Sequence, residues 1–262
     1  MLKKELGKTG VMIPEIGLGT WQYRNGEQPL RLGVSLGANL IDTAEMYGTE
    51  EIVGRSIEGI REQVFVATKV SAEHLHYENV IRAAEASMRR LKIKTIDLYQ
   101  IHWPNPRIPI SETMKAMEEL VKRGMIRYIG ISNFSASETQ EAQEALSSER
   151  IVSNQVQYNL DDREIENDLI PYCKSEKITI IAYSPLSRGG ILAVRSKKGA
   201  LLDEIGKKYQ KSRSQVVLNW ITSRDPVVAI PKADNLDHIR EDCGASGWRL
   251  GHDDIRKIDE ES

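Results

Sequence analysis

The stretch 40-LIDTAEMYG-48 runs from two apolar residues into a carboxylate at Asp42 and reaches Tyr47 just before a glycine. It begins with one of eight short apolar runs that recur along the chain and are rich in β-branched residues. Most of these runs are continuously apolar rather than alternating, which is typical of parallel strands covered on both faces. The eight predicted strands are 16-IGLGT-20, 40-LIDTA-44, 64-VFVATKV-70, 96-IDLYQIH-102, 126-IRYIGIS-132, 151-IVSNQVQ-157, 178-ITIIAYS-184 and 227-VVAIP-231.

Helical segments lie between these runs. In 80-VIRAAEASMRRL-91 and 113-TMKAMEELVKRG-124 the apolar residues fall on one helical face. Strands that alternate with helices predict an α/β fold of parallel βαβ units, and 262 residues match the roughly 250 of a (β/α)8 TIM barrel. No linker or break in composition divides the chain, so residues 1–262 are expected to form a single barrel domain. The segments 2-LKKEL-6 and 11-VMI-13 predict a short N-terminal β-hairpin that caps the barrel bottom.

The composition and charge of the chain indicate which binding partners and which compartment to expect. With 36 basic against 38 acidic residues the chain lacks the basic excess that nucleic acid or an anionic membrane requires, so neither is expected as a partner. Cys173 and Cys243 are far apart without metal-ligand spacing, which predicts buried thiols in a reducing cytosol. The sequence has no signal-peptide pattern and no apolar window long enough to span a membrane. A cytoplasmic protein is expected, and a monomer because the charged helix faces leave no evident apolar patch.

Polar residues end the predicted strands. Asp42, Lys69 and His102 finish three successive runs, and each taken alone is an ordinary cap, strand-end or structural residue. In a closed parallel barrel these ends meet at one face, where such barrels build their active sites. An acid, a base and an imidazole on three successive apolar strands therefore indicate a functional site. Further polar residues in or directly after the later strands are Ser132, Asn133, Gln155, Gln157, Tyr183, Ser184 and Lys232.

This set of side chains suits proton transfer to a carbonyl group. A tyrosine hydroxyl is a poor acid at pH 7, but an adjacent ammonium such as Lys69 favours the phenolate, so the pKa of Tyr47 is expected to be lowered. Asp42 would hold the ammonium in place, and the His102 imidazole can donate a hydrogen bond to a carbonyl oxygen. We therefore predict that Tyr47 delivers a proton to a carbonyl as it becomes an alkoxide.

The residues resemble one family over nearly the whole chain, the aldo-keto reductases. Each matching block is weak evidence alone, but all of them occur in the family's order. The fold of that family is a (β/α)8 barrel, which agrees with the strand pattern. The blocks are 17-GLGTW-21, 40-LIDTAEMYGTEEIVGRSI-57, 66-VATKV-70, 98-LYQIHWP-104, 128-YIGISNFS-135, 154-NQVQYN-159, 182-AYSPLSRGG-190 and 230-IPKADN-235.

The resemblance implies a reductase that passes hydride from a nicotinamide cofactor, usually NADPH, to an aldehyde or ketone. By position, Tyr47 matches the proton donor, Asp42 and Lys69 the pair that tunes it, and His102 the imidazole that orients the carbonyl. The nicotinamide end is expected on Ser132, Asn133, Gln155 and Tyr183, and Thr20 and Asp42 are also expected to contact the cofactor. The pyrophosphate is expected at Ser184, Leu186 and Arg188, the adenosine phosphate at Lys232, His238, Glu241 and Asp242, and the substrate at Trp21, Tyr47, His102 and Trp103.

The adenosine phosphate site departs from the family pattern. Many NADPH-preferring members have a serine, an arginine and an asparagine where this chain has Ala233, His238 and Asp242. The lost hydroxyl and permanent cation weaken contacts to a 2′-phosphate, and His238 would make the preference depend on pH. NADPH is still expected because Lys232 remains, with NADH also possible. No G-x-G-x-x-G motif follows a strand, which disfavours a Rossmann domain.

Several alternatives stay open at this level. Lys69 could form a Schiff base in an aldolase-like barrel, or the barrel could bind a cofactor as a sensor or scaffold without turnover. The glycine-rich loop 186-LSRGGILAVRSKKG-199 is either a flap over an anionic ligand or an ordinary surface loop. The chain ends with 252-HDDIRKIDEES-262 and lacks the long C-terminal extension that closes the substrate pocket in some members of the family, so an open substrate pocket is expected. His74 and His76 are expected to be loop histidines, and no metal site is expected.

Overall fold

The computed structural model describes residues 1–190 and 195–261 and contains a closed ring of eight parallel strands. The strands follow one another around the ring in chain order. The last strand returns to the first through a parallel bridge between Ile16 and Ala229, where the Gly17 N–H donates to the Ala229 carbonyl oxygen at 2.8 Å. The Ala229 N–H in turn donates to the Glu15 carbonyl oxygen at 2.9 Å. The predicted (β/α)8 barrel is confirmed.

All eight predicted runs contain a strand of the barrel. The strands are β3 (Leu18–Gly19), β4 (Leu40–Asp42), β5 (Phe65–Val70), β6 (Ile96–Ile101), β7 (Ile126–Ser132), β8 (Ile151–Gln157), β9 (Thr179–Tyr183) and β10 (Val227–Ala229), and they are preceded by β1 (Lys3–Glu5) and β2 (Met12–Pro14). The helices are α1 (Glu27–Ser35), α2 (Glu50–Ser56), α3 (Tyr77–Leu91), α4 (Ile110–Lys122), α5 (Ala136–Glu144), α6 (Leu169–Glu176), α7 (Lys197–Tyr209), α8 (Arg213–Ser223), α9 (Leu236–Cys243) and α10 (His252–Glu261).

The interior of the barrel is apolar in its lower part and polar near the carboxyl ends of the strands. Leu40, Ala67 and Leu98 belong to one buried apolar cluster in the lower part. Two residues further along the same strands, the side chains are Asp42, Lys69 and Gln100, all of them buried. Because successive side chains of a strand point to opposite faces, this spacing of two puts each polar group directly above an apolar one. The polar groups therefore share one layer at the mouth of the barrel.

The N-terminal hairpin covers the opposite end of the barrel. Strands β1 and β2 pair antiparallel, and Leu6, which follows β1, and Ile13, in β2, are buried in the same apolar cluster as Leu40. The Gly7 N–H donates to Thr179 Oγ1 at 2.8 Å, which ties the hairpin to the first residue of β9. The predicted cap of the barrel bottom is confirmed, and the cavity of the barrel opens at the other end, beside the polar layer.

Two helices extend further than their apolar pattern predicts. α3 begins at Tyr77 instead of Val80, and α4 begins at Ile110 instead of Thr113. Their first turns contain exposed or half-buried residues, so the apolar periodicity starts one turn later than the helix itself. The predicted stop of α4 at Gly124 is confirmed, since Gly124 has a φ of +70° and Met125 N–H donates back to the Leu120 carbonyl oxygen at 3.0 Å.

Three smaller expectations concern thiols, membranes and the loop after β9. Cys173 and Cys243 are both free and buried, as predicted. Across residues 1–190 and 195–261, no helix is both long and apolar enough to cross a membrane. The suggested flap includes residues 191–194, which lie outside the described residues.

Candidate active site

Four predicted side chains meet at the mouth of the barrel. Lys69 Nζ donates to Asp42 Oδ1 at 2.6 Å and to the Thr43 carbonyl oxygen at 2.8 Å. Tyr47 Oη lies 3.4 Å from Lys69 Nζ and 3.3 Å from His102 Nε2. The Tyr47 hydroxyl thus stands between an ammonium and an imidazole, which is the arrangement predicted from the strand ends.

Local structure brings Tyr47 over this layer. Asp42 ends β4, and the chain then makes a 3₁₀ turn over Glu45–Tyr47, in which the Tyr47 N–H donates to the Ala44 carbonyl oxygen at 3.1 Å. Gly48 closes the turn with a φ of +69°, a left-handed conformation that glycine adopts without steric cost. The residue spacing of the opening stretch therefore returns Tyr47 towards the strand end that carries Asp42.

The charges of Lys69 and Asp42 stabilise each other away from water. Lys69 is fully buried, and burial disfavours its ammonium, but the Asp42 carboxylate and then Tyr47 raise the pKa of Lys69 above its ordinary value of 10.5. Asp42 also accepts hydrogen bonds at Oδ2 from Gln155 Nε2 at 2.8 Å and from Gln100 Nε2 at 3.3 Å. Donors from three strands therefore hold this carboxylate in the layer.

The expected lowering of the Tyr47 pKa is wrong for this structure. Burial raises the pKa of Tyr47 above its ordinary value of 10, Lys69 lowers it, and Asp42 raises it again. Burial dominates because it penalises the phenolate in a site where Asp42 already cancels much of the Lys69 charge. Tyr47 is therefore a protonated donor at neutral pH, and Lys69 stabilises the phenolate that proton transfer would leave.

His102 is a neutral imidazole. Burial, and then the Lys69 ammonium, lower the pKa of His102 to about 3. Its backbone carbonyl oxygen accepts a hydrogen bond from Asn133 Nδ2 at 3.0 Å, which ties the end of β6 to the end of β7. Nδ1 of His102 is buried and has no hydrogen-bond partner among the described residues, so Nε2 is the ring atom available to Tyr47 and to a ligand.

The predicted nicotinamide-binding residues lie together beside this group. Ser132 Oγ donates to the Gln155 carbonyl oxygen at 2.8 Å, and Asn133 Nδ2 lies 3.0 Å from Ser132 Oγ. Tyr183 Oη donates to Asn133 Oδ1 at 2.9 Å. Asn133 has a φ of +64°, a left-handed conformation that asparagine tolerates better than most residues. Together these residues form a wall of amide and hydroxyl groups with the Tyr183 ring at its edge.

One cavity of about 580 Å³ connects nearly all the predicted site residues. Lys69 is the exception, since it lies beneath the cavity and reaches it only through its neighbours. Trp21 and Trp103 are 41% and 49% exposed at the mouth, and the Arg188 guanidinium stacks 5.0 Å from the centre of the Trp21 ring. The predicted residues that line the cavity are Thr20, Trp21, Asp42, Tyr47, His102, Trp103, Ser132, Asn133, Gln155, Tyr183, Ser184, Leu186, Arg188, Lys232, His238, Glu241 and Asp242.

The far end of the cavity, at the start of α9, has a mixed charge. Lys232 Nζ pairs with Asp234 Oδ2 at 2.8 Å, and Glu241 Oε1 accepts from Ser214 Oγ at 2.7 Å. The Asp242 side chain lines the same cavity, is only 6% exposed and has no hydrogen-bond partner among the described residues. Burial, and then Glu241, raise the pKa of Asp242 to about 8. The Asp242 carboxyl group is therefore largely a neutral acid at pH 7.

Sequence reasoning missed several residues of the site. Gln100 is a polar residue inside the apolar run 96-IDLYQIH-102, and this position could have indicated its contact with Asp42. Met46, which lines the cavity mouth and is 65% exposed, and Ser214, which contacts Glu241, carry no sequence signal of their own. Among the described residues, no three His, Cys, Asp or Glu side chains form a group that could hold a metal.

Comparisons with known proteins agree with this geometry. A model of the aldo/keto reductase family matches residues 15–262. Methylglyoxal reductase YeaE of Escherichia coli is 37% identical, and the match covers 95% of this chain and 91% of that protein. Glyoxal reductase of Bacillus subtilis is 36% identical, over 95% of this chain and 89% of that protein.

Solved structures give the same answer. The thermostable aldo-keto reductase Tm1743, crystallised with the inhibitor epalrestat, superposes with a TM-score of 0.94 at 40% identity over 100% of both chains. An aldo/keto reductase from Klebsiella pneumoniae in complex with NADP and acetate gives a TM-score of 0.92 at 34% identity, over 99% of this chain and 94% of that chain. The chain belongs to the aldo/keto reductase family.

Proposed function

We propose that this protein reduces aldehydes and ketones to alcohols with a nicotinamide cofactor, and that NADPH is the preferred cofactor. The observation that carries the proposal is the position of the Tyr47 hydroxyl, 3.4 Å from Lys69 Nζ and 3.3 Å from His102 Nε2 at the inner end of a cavity. A proton donor, a positive charge and a neutral hydrogen-bond donor converge there on one point. Such a point suits the oxygen of a carbonyl that gains negative charge during reduction.

The chain's own residues would handle the oxygen atom of the substrate. A bound nicotinamide supplies the hydride, which goes to the carbonyl carbon. We assign the ring proton of His102 to Nε2, from which it donates to the carbonyl oxygen and orients it. Tyr47 then gives its proton to this oxygen as the alkoxide develops, and the Lys69 ammonium stabilises the resulting phenolate. Asp42 keeps Lys69 charged and aimed at Tyr47 throughout.

The residues present fit a dinucleotide cofactor. Ser132, Asn133 and Gln155 offer hydroxyl and amide groups that match a carboxamide, and the Tyr183 ring offers a flat face for stacking. Arg188 and the first turn of α9 supply positive charge and backbone N–H groups for phosphates. Lys232 is a cation for a 2′-phosphate, but its ion pair with Asp234 has to rearrange or be shared, so we propose that NADH is also accepted.

The residues around the mouth of the cavity favour small substrates and low substrate selectivity. Trp21, Met46 and Trp103 form exposed apolar surfaces around it, with few polar groups that could select a particular substrate. Two relatives carry the names methylglyoxal reductase and glyoxal reductase. We propose that small 2-oxoaldehydes are among the substrates of this chain, alongside simple aldehydes.

We also propose that the barrel acts as a single domain and a monomer in a reducing compartment, which agrees with its two free, buried thiols.

The aldolase-like alternative is disfavoured by the environment of Lys69. A Schiff-base lysine has to present a free amine, whereas Lys69 is fully buried, hydrogen bonded to Asp42 and has a raised pKa.

The test follows oxidation of NADPH and NADH optically with glyoxal, methylglyoxal and simple aldehydes, for the wild type and Tyr47→Phe. We expect turnover by the wild type and a loss of about a hundredfold to ten-thousandfold in Tyr47→Phe, the usual range for removal of a general acid. The cofactor Kd, measured by fluorescence, should stay within a few-fold. A wild type that binds cofactor but reduces none of the carbonyls would instead favour the sensor or scaffold alternative.

A further inference from the structure

The turn that carries Tyr47 is anchored by a carboxylate that the proposed mechanism does not use. The Glu45 side chain accepts a hydrogen bond from the Ser71 backbone N–H, and its Oε1 lies 3.0 Å from His74 Nδ1. The Glu45 side chain is 10% exposed, whereas that of His74 is 53% exposed. The contact therefore has a buried side, at Ser71, and a side that faces water, at His74.

This contact joins the two segments whose spacing sets the proton donor. Ser71 follows β5 and lies two residues after Lys69, while Glu45 lies two residues before Tyr47 in the same 3₁₀ turn. The hydrogen bonds of the Tyr47 hydroxyl itself are long, at 3.3 and 3.4 Å, and Met46 between Glu45 and Tyr47 is 65% exposed. The Tyr47 ring packs against His102 and Lys69, but among the described residues its hydroxyl is held only by long hydrogen bonds. The Glu45 carboxylate accepts a short hydrogen bond from the Ser71 backbone N–H and so links the turn to the residue that follows β5.

We propose that Glu45 is a positioning residue that fixes the distance from the Tyr47 hydroxyl to Lys69 and to the substrate oxygen. The Ser71 N–H is its main anchor, and His74 is an auxiliary partner at the surface. The proposal rests on the proposed reductase function, since it concerns the placement of that reaction's proton donor.

A second carboxylate makes the same kind of contact away from the site and offers a matched control. Glu112 accepts from the Tyr77 backbone N–H at 2.9 Å and lies 3.2 Å from His76 Nδ1. It joins the first turn of α4 to the first turn of α3 and does not line the cavity. The two histidines of 74-HLH-76 thus each pair with a carboxylate, and only the pair of His74 reaches the Tyr47 turn.

Three variants separate positioning from general stability. Glu45→Ala removes both contacts, and we expect kcat to fall about tenfold to a hundredfold, because displacement of a reacting group by about 1 Å can cost a hundredfold. The NADPH Kd should be unchanged, and the solvent deuterium isotope effect on kcat should rise because proton transfer becomes slower. Glu45→Gln keeps an oxygen for the Ser71 N–H and should recover kcat to within about fivefold of the wild type. His74→Ala should cost less than threefold.

Glu112→Ala is measured beside them for kcat, isotope effect and melting temperature. Glu112 is 37% exposed against 10% for Glu45, so we expect Glu112→Ala to lower the melting temperature no more than Glu45→Ala does, with kcat and the isotope effect unchanged. The proposal is overturned if Glu45→Ala keeps kcat within twofold, if Glu45→Gln is as impaired as Glu45→Ala, or if Glu112→Ala loses as much activity. If Glu45→Ala does not fold, Glu45→Gln is compared with Glu112→Gln instead. The proposal then predicts a twofold to fivefold loss of kcat with a raised isotope effect in Glu45→Gln and neither change in Glu112→Gln. If the wild type turns over no faster than Tyr47→Phe, the proposed function itself is refuted. If the wild type is active and only the Glu45 variants behave otherwise than expected, the positioning role alone is refuted.

Discussion

Replacement of Asp242 by asparagine tests whether a neutral carboxylic acid faces the cofactor. Asp242 lies near the end of α9, is 6% exposed and lines the cavity, and its carboxyl has no hydrogen-bond partner among the described residues. Burial, and then Glu241, raise its pKa to about 8, so at pH 7 about nine molecules in ten carry the neutral acid. The ionisable side chains that line the same cavity include Glu241, Lys232, Asp234, Arg188 and His238. A neutral acid can donate and accept a hydrogen bond at once, as the asparagine amide does.

The binding assay measures the Kd of NADH by fluorescence between pH 7 and pH 9. If only the neutral acid binds, ionisation raises the apparent Kd of the wild type about tenfold over this range, whereas Asp242→Asn should show no such rise. NADH is the suitable probe because it lacks the 2′-phosphate, whose second pKa is near 6. A wild type with a constant Kd, or an equal rise in Asp242→Asn, would refute this placement of Asp242.

The stability of the protein reports the same proton without any cofactor. The folded-state pKa of about 8 exceeds the ordinary 3.8, so between these values the folded state binds more protons than the unfolded state. Asp242 therefore destabilises the fold increasingly as pH rises through this window, by about 1.4 kcal/mol for each pH unit, or at most about 4 kcal/mol at pH 7. Asp242→Asn should be more stable than the wild type in urea denaturation at pH 7, and the difference should vanish near pH 4. Equal stabilities at both pH values would show that Asp242 is ionised in the fold.

Two further predictions concern other parts of the barrel. Because the pKa of His102 is lowered to about 3, the pH profile of kcat/KM should show no inflection from this imidazole between pH 5 and pH 8; an inflection near 6.5 that His102→Asn abolishes would contradict the neutral state. Arg249 makes two hydrogen bonds to the fully buried Glu15 at the barrel's closing seam. Arg249→Met should therefore lower the free energy of unfolding by about 2 kcal/mol, measured in urea, since it removes two hydrogen bonds from a buried carboxyl group; a loss below about 0.5 kcal/mol would mean that water replaces the guanidinium.

The sequence predicts the barrel well because its evidence is periodic. Continuous apolar runs and amphipathic helices follow directly from burial on both faces of a parallel sheet, and the structure confirms all eight strands. The meeting of Asp42, Lys69 and His102 also follows, because closure of the ring by Ile16 and Ala229 brings the carboxyl ends of all the strands to one rim.

Charge states were harder to predict than positions. The lowered pKa expected for Tyr47 considered its partner Lys69 but not the burial of the hydroxyl, which depends on everything packed around it. Asp242 shows the same limitation, since an aspartate in a sequence implies a negative charge that its burial on α9 largely removes. Glu45 gave no signal at all, because its contact joins residues that are 26 positions apart, at Ser71. Pair distances and burial arise only when the chain is folded.

The polar layer at the mouth of the barrel is costly for stability, and this cost itself supports a functional origin. Asp42 and Lys69 are buried charges, and a buried ion pair is often no more stabilising than an apolar pair of similar size. Donors from three strands nevertheless converge on Asp42, namely Lys69 from β5, Gln100 from β6 and Gln155 from β8. A lower layer of Leu40, Ala67 and Leu98 shows that the same strands pack well with apolar side chains. Packing alone does not explain why the next layer of the barrel interior consists of the polar residues Asp42, Lys69 and Gln100. The need to keep Lys69 charged beneath Tyr47 explains it.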